Sequence, residues 1–319
     1  MQKRKDIMTA DPKRVTKTAD LFWGPFAELR SQQKKSNGQT RLNEQVRTTI
    51  SAALSAQTAA INLPHYLALA AQTKGPVLHL GCGTGPTLPA LAENGHEVVG
   101  LDSSADVIEA LRQRLASLPS DAQGRVKLTR TELAQFDLAE KFPLVILSFF
   151  TFALLAEDER RSLLRQVERH LAPNGTLAFE YPIYQSPPSG VGTVSDAELL
   201  VAGTTVPGRI GWILSEDSTH LIVNSSSQTP QTNGKTHHYL EAVKIELLGD
   251  REVEDLLSDV GLVITERSHS AADDVEHHLL HSRRRTEVSY PLWHPFIPMN
   301  GLEQNVTILV EGKGCKIRD

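Results

Sequence analysis

One stretch, Pro76 to Asp102 (PVLHLGCGTGPTLPALAENGHEVVGLD), limits what this chain can fold into more than any other. The apolar run Val77 to Leu80 leads into Gly81-Cys82-Gly83-Thr84-Gly85. A helical segment follows, closed by Gly95, and a second strand from Glu97 to Leu101 ends on Asp102. Strand, glycine turn, helix, strand and acid make up half of a nucleotide-binding βαβ unit. Glycines let the backbone turn sharply and approach a ligand closely. The helix start beyond them offers N–H groups that lack intrahelical partners. A carboxylate at the tip of the second strand can accept both hydroxyls of a ribose.

The spacing of the glycines bears on which nucleotide. A dinucleotide fingerprint, G-x-G-x-x-G, needs a third glycine at position 86, which is Pro86 here. The glycines fall instead at 81, 83 and 85. VLHLGCGTG with Asp102 resembles the first motif and strand-end acid of the class I S-adenosylmethionine-dependent methyltransferases; dinucleotide binding is the alternative on these residues alone. The resemblance extends through FPLVILSFFTFALLAEDERRSLLRQVERHLAPNGTLAFE, which is similar to the family's fourth strand, loop, helix and fifth strand. HLAPNGTL fits the family pattern before that fifth strand. The similarity covers Pro76 to about Tyr181. Three positions depart from it: His79 replaces an acid that helps hold the amino group of the cofactor's methionine part, Pro86 stands where relatives often carry arginine, and Pro143 replaces a common aspartate.

The resemblance implies a Rossmann-like three-layer α/β fold, with a mostly parallel seven-stranded sheet whose last strand is antiparallel. It also implies S-adenosyl-L-methionine as cofactor. Carried onto this chain, the cofactor-binding set is His79, Gly81, Cys82, Gly83, Gly85, Asp102, Ser103, Glu132, Leu133, Ser148, Phe149 and, from an aromatic N-terminal lid, Trp23. Glu132 follows the third strand, Val126 to Thr129, where the family commonly holds the adenine amino group. The function implied is in-line methyl transfer to an oxygen, nitrogen or carbon of a small molecule. Positioning can supply much of the rate, and a base is needed only if the nucleophile must lose a proton in the step. His237, His238, His294 and Tyr184 are the candidates for that base. The alternatives are the same fold used for another reaction, which the His79 departure motivates, and a non-enzymatic partner-binding protein.

Around this core the chain divides as follows. Residues 1–60 form an arm or lid, with helical spacing at Leu42, Val46, Ile50 and Leu54. Residues 61–182 and 248–319 form the core, opened by a helix from Leu63 to Ala71. Residues 183–247 are rich in Ser, Thr, Gly and Pro and contain alternating runs (Arg209 to Leu214, His220 to Val223, His238 to Leu247), which predict an antiparallel β cap on the substrate side. A helix from Asp250 to Val260 and a strand from Leu262 to Glu266 return to the core. Val306 to Val310 is expected to be the last, antiparallel strand, after a long connection over residues 268–304. That connection contains His277 and His281, which on a helix would share a face as two metal ligands do. No third ligand is fixed by the spacing, and no metal is assigned. Arg283-Arg284-Arg285 reads as a solvated face. Tyr290, Trp293, His294 and Phe296 read as anchors for the connection or as the lining of a flat pocket.

Composition excludes some functions. With 40% hydrophobic and 22% charged residues, the 319-residue chain can bury a sizeable core. A net charge of −5 provides no electrostatic footprint for nucleic acid. No apolar run approaches a membrane span, and the basic start lacks a signal peptide's apolar stretch. Two cysteines without a C-x-x-C suit a reducing cytoplasm. A homodimer through the cap is compatible with the sequence but not required by it.

Overall fold

The computed structural model describes residues 25–29, 62–147, 149–184, 193–201, 204–214, 219–230, 236–272 and 275–284. Helices α1 (25–29) and α2 (62–72) precede β1 (Val77–Leu80), α3 (Thr87–Glu93), β2 (Val98–Asp102), α4 (Ala105–Leu115), α5 (Ser120–Gln123) and β3 (Val126–Arg130). After these come β4 (Phe142–Leu147), α6 (Phe149–Ala153), α7 (Glu157–His170) and β5 (Leu171–Tyr184). Strands β6 (Thr193–Val201), β7 (Thr204–Leu214), β8 (His220–Pro230) and β9 (Thr236–Glu246) form a separate sheet. Helix α8 (Asp250–Asp259) and strands β10 (Leu262–Ala272) and β11 (Val275–Arg284) return to the first sheet.

That first sheet has seven strands in the order β10-β11-β5-β4-β1-β2-β3. Strands β1 to β5 run parallel, whereas β11 is antiparallel to both β5 and β10. Every residue of β1 is buried, because helices cover both faces of a parallel sheet. Leu144, Ile146 and Ala178 pack with Tyr66, Leu88, Leu91 and Leu111 on one face. Leu78, Leu80, Val145, Leu147 and Phe179 pack with Leu163, Leu164, Val167 and Leu257 on the other. Local chemistry supports the helices in this sandwich. The Ser104 hydroxyl accepts from the Val107 N–H at 3.3 Å to cap α4. Helix α7 opens with Glu157, Asp158 and Glu159 and carries Arg169 in its last turn, each charge matched to the nearer pole of the helix dipole.

The four-stranded sheet is antiparallel, in the order β6-β7-β8-β9. Its Ile210, Leu221, Val223, Val243 and Ile245 join the second of those clusters, so the cap and the main sheet share one core. On the cap's opposite face Ile222, Leu240 and Ala242 enclose Phe26 of α1. This part of the N-terminal aromatic segment therefore packs on the cap; Trp23 and the helical spacing from Leu42 to Leu54 lie outside the described residues. Arg160 ties the two sheets together. Its buried guanidinium donates to the carbonyls of Phe152 (3.2 Å) and Ala153 (3.1 Å) and to Glu246 Oε2 at the end of β9 (3.0 Å).

Several expectations are corrected. Among the described residues the strand antiparallel to its neighbours in the main sheet is β11; Val306 to Val310 lies outside them. Of the connection expected over 268–304, residues 268–272 and 275–284 are strand, and β10 runs six residues past Glu266. His277 and His281 thus lie on a strand rather than a helix. Arg284 is no solvated charge: it pairs with Glu168 at 2.8 Å and donates to the Leu171 carbonyl at 2.7 Å, among those left open at the end of α7. The cap has β6 as a further strand. Pro143 sits at the register shift between Phe142 and Leu144, a position in a strand where a missing N–H costs little.

Candidate cofactor site

The glycine loop follows β1, and each glycine meets a different demand. Gly81 has φ +59°, and a Cβ there would lie 2.1 Å from the Thr151 hydroxyl, because the segment after β4 crosses directly over it. Gly83 has φ +54°, yet a Cβ there would meet nothing closer than 3.9 Å. Above Gly83 the loop is open, and the space suits a ligand. At Gly100 of β2, a Cβ would come within 2.5 Å of Leu88, so this glycine lets α3 lie close on the sheet. Pro86 immediately precedes α3 in helical conformation, where the missing N–H would have had no partner in any case.

Asp102 is fixed at the tip of β2 by the loop itself. Its Oδ2 accepts from the Gly83 N–H at 3.2 Å and its Oδ1 from the Ser104 N–H at 2.9 Å. Each oxygen retains lone-pair capacity for a further donor. Burial pushes this carboxyl up, the N–H groups of Ser104 and Gly83 pull it back, and the charge of Glu132 raises it again. Glu132 therefore lies within electrostatic reach of Asp102. It is exposed, one residue before the buried Leu133. The Thr131 N–H donates to the Asp102 carbonyl at 3.0 Å, which joins the ends of β2 and β3.

His79 is 3% exposed in the middle of β1, and its Nδ1 has no partner among the described residues. Burial lowers its pKa to about 4, so the ring is neutral at physiological pH. A neutral imidazole can accept a hydrogen bond, which a protonated one cannot. Cys82 is also buried, and burial followed by the nearby Asp102 carboxylate pushes its thiol well up, so this cysteine is not a poised nucleophile.

The loop, Asp102 and Glu132 thus lie together at the carboxyl ends of β1, β2 and β3. Ser103 is exposed beside Asp102, and Phe149 opens α6 after β4. Ser148, Trp23 and His294 lie outside the described residues. Tyr184 ends β5, five residues past Phe179, which is level with the end of β4. His237 and His238 lie on β9, paired with Thr229 and Gln228 of the cap. Sequence reasoning missed a buried cluster at the same rim, in which Asn62 of α2 donates to Glu180 of β5. Burial and that carboxylate push the neighbouring Tyr66 phenol well up. The one available signal was an acid ending the apolar run of β5.

This arrangement presents acceptors for hydroxyl and amino donors around an open glycine turn, which describes a nucleoside site at the carboxyl ends of a parallel sheet. Residues 78–177 match the family model described as a methyltransferase domain. The fold is that of solved Rossmann-like methyltransferases. The chain is 37% identical over 105 residues to the cypemycin N-terminal methyltransferase of a Streptomyces species, covering 33% of this chain and 40% of that protein. It is 28% identical over 193 residues to the dTDP-3-amino-3,6-dideoxy-alpha-D-glucopyranose N,N-dimethyltransferase of Streptomyces fradiae, covering 59% of this chain and 70% of that one. Its fold is similar to SAM-bound CalS10, an amino pentose methyltransferase from Micromonospora echinaspora, with TM-score 0.51 and 17% identity over 79% of this chain and 96% of that one. No helix among the described residues is long and apolar enough to cross a membrane.

Proposed function

We propose that this chain is an S-adenosylmethionine-dependent methyltransferase acting on the nitrogen of a small-molecule amine. The observation that carries the reading is the glycine turn closed on Asp102, with open space above Gly83 and Glu132 beside it. The donor set fits the cofactor: Asp102 would hold the ribose hydroxyls, Glu132 and the backbone at Leu133 the adenine edge, and the loop from Gly81 to Gly85 the methionine part. His79, neutral and with an unpartnered Nδ1, would take over the amino group that an acid holds in relatives. When bound, the cofactor supplies a methyl carbon that is already electrophilic on its sulfonium. The work left to the protein is to exclude water, align the acceptor and leave its lone pair unprotonated.

A nitrogen acceptor is supported by the two relatives above, an N-terminal methyltransferase and an amino-sugar N,N-dimethyltransferase, and the cap would enclose it against the rim of the sheet. For a base we carry forward His237, His238, His294 and Tyr184. Ser103, Ser148, Phe149, Cys82 and Trp23 complete the expected lining. The acidic net charge favours a small molecule over nucleic acid, and cysteine usage favours the cytoplasm. Strands β6 and β9 end the cap sheet and would be the edges through which a homodimer forms.

Calorimetric titration with S-adenosylmethionine and S-adenosylhomocysteine tests the site directly. Saturable binding of both is expected, weakened at least tenfold by Asp102→Ala, as loss of a charged hydrogen-bonding partner implies. A folded protein that binds neither overturns the reading.

A further inference from the structure

At the edge of the main sheet, a second group of titratable side chains takes no part in the cofactor site. His281 of β11 is registered against Ala178 of β5 and Glu266 of β10 and is 6% exposed. Its Nδ1 lies 2.8 Å from Glu266 Oε2, and its Nε2 lies 2.8 Å from Nε2 of His65, half-buried on α2. A carboxylate can only accept, so the Glu266 contact places the His281 proton on Nδ1 and leaves Nε2 as a bare lone pair. His65 must then donate its Nε2–H to that lone pair. Burial, and then the adjacent His281, hold His65 below the usual histidine range. A carboxylate on the far nitrogen of an imidazole is also the arrangement that orients metal-ligating histidines.

The spacing selects among metals. With bonds of about 2.0–2.1 Å, two nitrogens at 90° on a square-planar or tetragonal ion stand about 2.9 Å apart, and on a tetrahedral ion about 3.3 Å. The observed 2.8 Å is that of two nitrogens facing head-on, with ring centroids 5.0 Å apart, so both rings must turn to converge on one ion, and the first geometry asks for the smaller separation of the nitrogens. We propose that His65 and His281 form a bidentate site for a divalent ion of the Cu2+ or Ni2+ type, bridging α2 to β11. On binding, His65 shifts its proton from Nε2 to Nδ1, both Nε2 lone pairs turn to the metal, and no net proton is released. No group of three or more His, Cys, Asp or Glu side chains poised for a metal occurs among the described residues, so water completes the coordination. His277 is not a co-ligand: four strand residues separate it from His281 by about 13 Å.

The test uses the full chain after removal of metals with EDTA, in a glycine buffer that suppresses weak binding at the other histidines. Ni2+ is titrated by calorimetry, and Cu2+ is followed by electron paramagnetic resonance, which counts coordinated nitrogens. One ion per chain with two imidazole nitrogens is expected. His65→Ala should weaken Ni2+ at least tenfold and leave one nitrogen. Glu266→Gln retains both ligands and should weaken Ni2+ about tenfold, within the range for loss of an orienting carboxylate, while His277→Ala should match the wild type. Equal affinity in wild type and His65→Ala, a single nitrogen in the wild type, or no bound ion would overturn the proposal.

Discussion

His79 shows how a single position changes the electrostatics of a motif without changing its shape. An acid there would carry a buried charge, whereas the imidazole stays neutral because its pKa falls to about 4. The unfolded chain returns that histidine to water, where its pKa is near 6.5. Below about pH 6.5 the unfolded state therefore binds a proton that the folded state does not, and stability is lost as pH falls from there toward 4. The shift corresponds to about 3 kcal/mol when complete. Urea denaturation at pH 7.5, 6 and 5 should show the loss, and His79→Gln should flatten it by removing the titrating group. Equal slopes for the two proteins would show that His79 is not buried neutral. At this scale the glycine turn and Asp102 are readable because glycine spacing and a strand-end acid are local signals. The pairs Asn62–Glu180 and His65–His281 were not, since each joins residues more than a hundred positions apart.

Among the elements, legibility followed the origin of each strand's stability. Strands β1 and β4 are buried apolar runs whose environment can be read from composition. Strand β11, VEHHLLHSRR, reads as polar and exposed, and was expected to be loop. It is a strand because β5 and β10 satisfy its backbone on both sides, and because its polar residues find specific partners. His281 meets Glu266, Arg283 meets the Thr176 hydroxyl at 3.3 Å, and Arg284 meets Glu168 and the end of α7. None of those partners is adjacent in sequence. Arg160 plays the same part for the cap. Replacing it with alanine takes the guanidinium donors from the Phe152 and Ala153 carbonyls, of which Phe152 keeps the Leu155 N–H, and leaves a void in the interior. Arg160→Ala should lower stability by about 2–4 kcal/mol, in the range for lost buried hydrogen bonds together with a cavity. Arg161→Ala, one residue away on the exposed side of α7, should cost far less, because its ion pairs are solvated. Chemical denaturation of both variants checks the contrast.

For the whole molecule, the shared core makes a statement about cooperativity. Because Ile210, Leu221, Val223, Val243 and Ile245 of the cap lie in one apolar cluster with Leu147, Phe179 and Leu257, neither sheet can shed its partner without exposing that cluster. Scanning calorimetry should show a single transition, with Val223→Ala shifting the whole of it; a separate early melt of the cap would contradict this. The sequence boundary near residue 183 marks a change in composition, and composition carries no information about which faces of two sheets will meet.

Strands β5, β10 and β11 do not stop where β4 does. Level with Leu147, β5 continues from Phe179 to Tyr184, paired with Val275–Leu279 of β11, which in turn pairs with Ser268–Ala272 of β10. Five residues at about 3.3 Å each raise a three-stranded parapet roughly 17 Å above the rim on one flank of the glycine turn. Approach to the glycine turn is thereby made one-sided. A molecule arriving along the sheet from the β10 flank meets backbone, whereas the β2 and β3 flank stays low, at the level of Asp102 and Glu132. The turn has a threshold on one side and a wall on the other.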